Sequence, residues 1–156
     1  MSDPIHQRLE ELGHVLPSPM SPVATYVPTV ITGSLLFVSG QGPVRDGQFL
    51  SLGHLGRDLS VEQGYEASKL TALNLLSQAN AALEGRLSRI TRCVKLFGLV
   101  QSTPDFNEQH LVINGASDLI AEVLGDAGAH ARAAVGSSDL PFNTSVEIDA
   151  VFEILP

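Results

Sequence analysis

The chain has 156 residues, 44% of them hydrophobic, and a formal net charge of -8 at pH 7, which suits one domain with a real core and gives no reason to expect two. The acidic balance and the lack of a Lys/Arg cluster argue against a nucleic-acid partner or an anionic-membrane surface, because both draw affinity from concentrated positive charge. Cys93 is the only cysteine, so no intrachain disulfide can form, and no Cys/His spacing resembles a zinc site.

The first residues, Met-Ser-Asp-Pro-Ile-His, show neither a basic start nor an apolar run, so neither a signal peptide nor an anchor is expected and the expected location is cytoplasmic. Asp3-Pro4 followed by Ile5, Leu9 and Leu12 predicts a short capped helix ending at Gly13. Pro17, Pro19 and Pro22 make residues 14–24 an extended linker that attaches this helix to the outside of the domain. The division expected is therefore 1–24, helix and linker, and 25–156, the domain proper.

Tyr26 to Ile31 and Leu35 to Ser39 read as a hairpin turning at Thr32-Gly33-Ser34. A glycine-broken loop then runs to about Leu59. Ser60-Val-Glu-Gln63 is a capping box, and Tyr65, Ser68, Ala72, Leu73, Leu76, Ala79 and Leu83 continue at helical spacing to about Glu84. Arg89 to Gln101 reads as a central strand, although periodicity alone also allows a buried helix. A break at Ser102-Thr-Pro-Asp105 precedes a second long helix, roughly Phe106 to Leu124, stopped by Gly125. Two strands follow, about 131–137 and 145–155, the last with Val146, Ile148, Ala150, Phe152 and Ile154 alternating against Glu147, Asp149, Val151 and Glu153. The order β-β-α-β-α-β-β is that of an α+β layer sandwich with its helices on one sheet face.

Charge is unevenly spread. From Leu96 to Pro156 there are nine acids and one base, Arg132. Its flanks, His130-Ala-Arg132-Ala-Ala-Val-Gly136, are small and apolar, which suits a pocket cation for a small carboxylate: the planar guanidinium grips such a group by two parallel hydrogen bonds. A surface ion pair, worth about 0–1 kcal/mol, is the alternative. Alternation puts Arg132, Ala134 and Gly136 on one strand face and Glu147 opposite the apolar row of the last strand, so the two can share a cleft if the strands are near each other.

Ser39-Gly40-Gln41-Gly42 lacks the third glycine, the lysine and the following helix of a phosphate loop. It fits a pocket rim or a strand-end bulge. The five histidines form no metal-ligand pair, and Ser39 is not in a nucleophile elbow. Cys93 has Arg92 and Lys95 close by, which can lower a thiol pKa, but inert packing is the ordinary fate of a lone strand cysteine.

Taken in order, Tyr26-Val-Pro, Gly33-Ser-Leu-Leu-Phe-Val-Ser39-Gly-Gln41, Gly64-Tyr-Glu-Ala67, Asn74-Leu-Leu, Asn114, Ala131-Arg132-Ala-Ala-Val and Leu140-Pro141 with Val146-Glu147-Ile-Asp-Ala150 resemble the reactive-intermediate deaminase family, also called RidA, YjgF or L-PSP. With its additional amino-terminal helix, the chain is similar to a longer, endoribonuclease-like subgroup. The resemblance implies a chorismate mutase-like fold, a homotrimer with ligand clefts between subunits, and hydrolysis of enamines and imines of amino acids to 2-keto acids and ammonia without cofactor or metal. Carried over by motif, it implies that Arg132 binds the substrate carboxylate, that Glu147 positions or deprotonates water, and that Tyr26, Ser39 and Asn114 line the pocket. Many deaminating members carry a cysteine where this chain has Ala134 and a glutamate where it has Gly136, which is expected to empty the arginine's strand face. A non-catalytic metabolite-binding protein on the same scaffold is the second reading. A ribonuclease is the third, opposed by the acidity and by an aromatic content of 5%.

Overall fold

The computed structural model describes residues 2–156. Helix α1 is Pro4–Glu11, capped by Asp3, whose carboxylate accepts from the Ile5 N–H. Strands β1 (Thr29–Thr32) and β2 (Leu35–Gln41) form the expected hairpin. The first of them starts later than Tyr26 because Pro28 has no N–H to give the ladder. The loop expected after β2 contains a second hairpin, β3 (Val44–Arg45) with β4 (Gln48–Phe49). Its turn residues Asp46 and Gly47 have φ of 52° and 76°, the conformation that an Asp-Gly pair favours in two-residue turns.

Helix α2 (Val61–Ala82) opens on the capping box, with Ser60 Oγ accepting from the Gln63 N–H and Gln63 Oε1 from the Ser60 N–H. Strand β5 (Ile90–Gln101), helix α3 (Gln109–Leu124), and strands β6 (Ala131–Ser137) and β7 (Val146–Ile154) complete the chain. The sheet order is β1-β2-β7-β5-β6, antiparallel except between β5 and β6. That single parallel pair is made through α3, since parallel neighbours need a crossover.

The apolar row of β7 faces the helices and is buried throughout. Together with Leu36, Leu96, Val100 and the inner faces of α2 and α3 it makes one core. The two helices lie so close that a Cβ on Gly115 would meet the Tyr65 carbonyl, so only glycine fits there. Cys93 is buried in this core and its thiol is pushed up to about 12 by desolvation, opposite in direction to the lowering that Arg92 and Lys95 could have produced. The opposite sheet face carries no helix. In the single chain it leaves Phe37 42% and Val135 41% exposed, beside Glu147, Asp149 and Val151.

Candidate functional site

The expected site residues fall into two groups. The first surrounds a cleft of about 840 Å³ between residues 20–24, β2 and β7, with Tyr26, Ser39 and Glu147 in its lining. Pairing of β2 with β7 slips between Val38 and Gln41, so the strand-end bulge is real, and it brings Gly40 against Glu147. A Cβ on Gly40 would stand 2.9 Å from Glu147 Cδ. Glycine here makes room for the carboxylate. Ser39 ties down the neighbouring segment: its hydroxyl donates to the Val27 carbonyl (2.7 Å) and its N–H to that of Pro28 (2.9 Å).

Glu147 has its pKa raised, first by burial and then by the charge of Asp149. Asp149 is itself raised by burial, with Lys95 opposing. A carboxylate whose proton affinity is increased in a partly apolar cleft is suited to act as a general base. Across the cleft stand two rings the sequence did not single out, Phe49 and Phe142, stacked with centroids 5.1 Å apart. Phe142 and Asn143 both have left-handed φ, 61° and 57°, each a cost of about 1–2 kcal/mol for a residue with a side chain. Buried Gln101 holds this turn, accepting from the Leu140 N–H (2.7 Å) and donating to Asn143 Oδ1 (2.8 Å). Nothing in the sequence marks Gln101 for this; the only local signal is the turn-forming Leu140-Pro141.

The second group sits on the helix side of edge strand β6. Arg132 donates through Nη1 to Ser117 Oγ (3.0 Å) and through Nη2 to the His110 carbonyl (2.9 Å). Ser117 Oγ lies 2.8 Å from His130 Nε2, and His130 Nδ1 lies 2.6 Å from the Gly128 carbonyl. Because that carbonyl can only accept, His130 Nδ1 donates to it; in the tautomer with the proton on Nδ1, Nε2 accepts a hydrogen bond from the Ser117 hydroxyl. Ser117 Oγ is then oriented to receive the guanidinium. Asn114, one turn after His110 on α3, shares this stripe. Among the described residues the Arg/carboxylate pairs are Arg8–Glu11, Arg57–Asp58 and Arg86–Glu84, so Arg132 is not engaged in the surface ion pair that the acidic context allowed. Two of its five N–H groups are used, and three are left for a ligand.

The shared cleft does not exist within one chain. Strand β6 pairs with β5 and not with β7: Leu96 is opposite Arg132 on the helix side, whereas Leu99 is opposite Glu147 on the bare side. The expected void beside the arginine is also absent at Gly136, where Ser102 Oγ and Gln109 Nε2 would stand 2.9 and 3.0 Å from an added Cβ.

The family model described as "YjgF/chorismate mutase-like, putative endoribonuclease" matches residues 6–154. Among curated proteins, this chain is 47% identical over 147 residues to Protein TCP17 of Trypanosoma cruzi, covering 94% of this chain and 91% of that one. The crystal structure of protein Atu1372 from Agrobacterium tumefaciens, of unknown function, superposes with a TM-score of 0.92 at 55% identity, covering 97% of this chain and 93% of that one. A "putative endoribonuclease" from Shewanella oneidensis superposes with a TM-score of 0.93 at 35% identity, covering 98% and 100%.

Proposed function

The chain belongs to the YjgF/chorismate mutase-like family, and from that premise we propose that it hydrolyses reactive 2-imino acids in a homotrimer whose sites combine Glu147 of one copy with Arg132 of the next. The observation that carries this is the separation of the two residues, with a carboxylate cleft on the bare sheet face and a guanidinium on the opposite face at the sheet edge; on this reading each supplies half of a site. The exposed apolar residues of the bare face, Phe37 and Val135, suit burial against further copies.

In this scheme the guanidinium of Arg132 holds the substrate carboxylate, with Asn114 beside it, and Ser39 and Tyr26 border the imine. Glu147 takes a proton from water as its oxygen bonds to the imine carbon, then returns the proton to nitrogen. In the N-protonated carbinolamine so formed, Glu147 takes the hydroxyl proton as the C–N bond breaks, and the departing ammonia then receives that proton to leave as ammonium. The balance is iminium acid plus water to 2-keto acid plus ammonium. The imine carbon is already electrophilic, so orienting water and substrate supplies the rate without an activated side-chain nucleophile. No helix of the described residues is long and apolar enough to cross a membrane. The ribonuclease activity in relatives' names is not favoured here, because the cleft carries two acids, Glu147 and Asp149, which repel a phosphate backbone.

The test is ammonia release from imines generated in situ by an amino-acid oxidase. The rate should rise with this protein and fall to background in Arg132→Ala. Equal rates with wild type and variant would overturn the enzyme reading. A wild type that is inactive, yet melts at higher temperature with a 2-keto acid, would make the protein a metabolite-binding module instead.

A further inference from the structure

Helix α2 buries two polar side chains away from the apolar core, Ser77 and Gln78, each only 3% exposed. Such groups are costly unless hydrogen-bonded, and their partners lie in the amino-terminal linker. Ser77 Oγ donates to the Pro17 carbonyl (2.5 Å), and Gln78 Nε2 donates to that of Met20 (2.8 Å). Gln78 also reaches Gln41 Oε1 (3.4 Å), and Gln41 Nε2 donates to the Ser39 carbonyl (3.1 Å). The linker is thereby clamped to the interior of α2 and coupled to the bulge beside Glu147. Its next residues, 20–24, form one wall of the cleft, which Phe49 and Phe142 also line.

The space so bounded is chemically one-sided. Met20, Pro22, Val23 and the two rings offer apolar surface, and the charged side chains of the lining are the acids Glu147 and Asp149. In the single chain the cleft measures about 840 Å³, in the upper part of the range, roughly 300–1,000 Å³, that accommodates drug-sized molecules; further copies would cover its side along Phe37, and the side between residues 20–24 and the two rings is the part left for a substrate side chain.

We propose that the clamped linker forms a side-chain chamber, and that the substrates are 2-imino acids bearing a branched or aromatic apolar side chain, of leucine or phenylalanine size. This rests on the imine-hydrolase reading. The chamber disfavours acidic side chains through Glu147 and Asp149, and it rewards each methylene that a shorter substrate lacks. Residues 20–24 then determine specificity, while Ser77 and Gln78 are positioning residues that act through them.

The experiment compares kcat/KM for imines made in situ from alanine, leucine, phenylalanine, glutamate and lysine, using the full chain and Ala24→Phe, a surface substitution that fills the chamber. The leucine and phenylalanine imines should exceed the alanine imine by at least about tenfold, the scale of selection that apolar pockets achieve. In Ala24→Phe that ratio should collapse toward one. In parallel, 4-methyl-2-oxopentanoate should raise the melting temperature more than equal pyruvate, and the difference should shrink in the variant. A ratio near one, a preference for the alanine, glutamate or lysine imine, or a ratio unmoved by Ala24→Phe overturns the chamber while leaving imine hydrolysis standing. Failure to turn over any of the five imines overturns both.

Discussion

Arg132 and Glu147 point to opposite faces of one sheet, with the whole of β5 between their strands. Two strand spacings, about 9.5 Å, and the thickness of the sheet therefore separate a guanidinium and a carboxylate that the proposed reaction needs together. A site using both has to draw them from two copies.

Complementation tests that requirement. Arg132→Ala should be at background and Glu147→Gln at about a hundredth of the wild-type rate or less when alone, yet subunits mixed in equal amounts and reassembled should recover about a quarter of the wild-type activity, since one site in four then joins an intact Arg132 to an intact Glu147 across a head-to-tail interface. Activity no greater than the two parents would place both residues in the same copy's site.

The pH profile should carry the signature of Glu147. Burial and Asp149 raise its pKa, so the base form is lost, and kcat/KM falls, at a pH above the usual carboxylate range as the solution is acidified. Glu147→Gln should remove that limb and lower the rate by about 10²-fold or more. For stability the direction is opposite. The folded state holds this proton more tightly than the unfolded chain, so its contribution is complete below the unfolded pKa and disappears as pH rises through the folded one. Glu147→Gln should thus melt higher than wild type at neutral pH and lose that advantage in acid, as followed by circular dichroism.

Gly40→Ala should be destabilising by about 1–3 kcal/mol, the range for forcing extra volume into packed surroundings, because its new Cβ meets the Glu147 side chain. Chemical denaturation of the single variants and of Gly40→Ala with Glu147→Ala checks the cause: truncating Glu147 should make the alanine at position 40 nearly harmless. Additive losses would show that the strain lies in the backbone.

Cys93 should resist a thiol-specific colorimetric reagent in the native protein and react fully after denaturation, since it is inaccessible and its thiol is pushed up to about 12. Cys93→Ser should cost more stability than Cys93→Ala, because a hydroxyl in that apolar core has no partner and lacks about 1–3 kcal/mol of compensation. Rapid native labelling would contradict the packing described for β5.

The regular elements were legible because each rests on short-range chemistry. Asp3-Pro4, the Ser60–Gln63 box and the alternation from Val146 to Ile154 specify ends and faces within a few residues of themselves. The hairpin at Asp46-Gly47 has an equally local signal, masked by the glycines at positions 40, 42, 53 and 56 around it. The cleft was only half legible. Ser39, Tyr26 and Glu147 emerged from motif order, whereas Phe49, Phe142, Gln101 and the linker wall depend on contacts across 40 residues or more, such as Gln101 to Gly53 and Gln78 to Met20.

Strand order shows where the boundary lies. The sequence by itself determined that Arg132 and Glu147 stand on successive strands, each on a definite face of its own strand, because side chains alternate with period two. Only the tertiary structure decided that β5 pairs with both strands and comes between them, since pairing is set by which apolar faces can be buried together over the whole chain. That choice sends the guanidinium to the helix side and the carboxylate to the bare side of the same sheet.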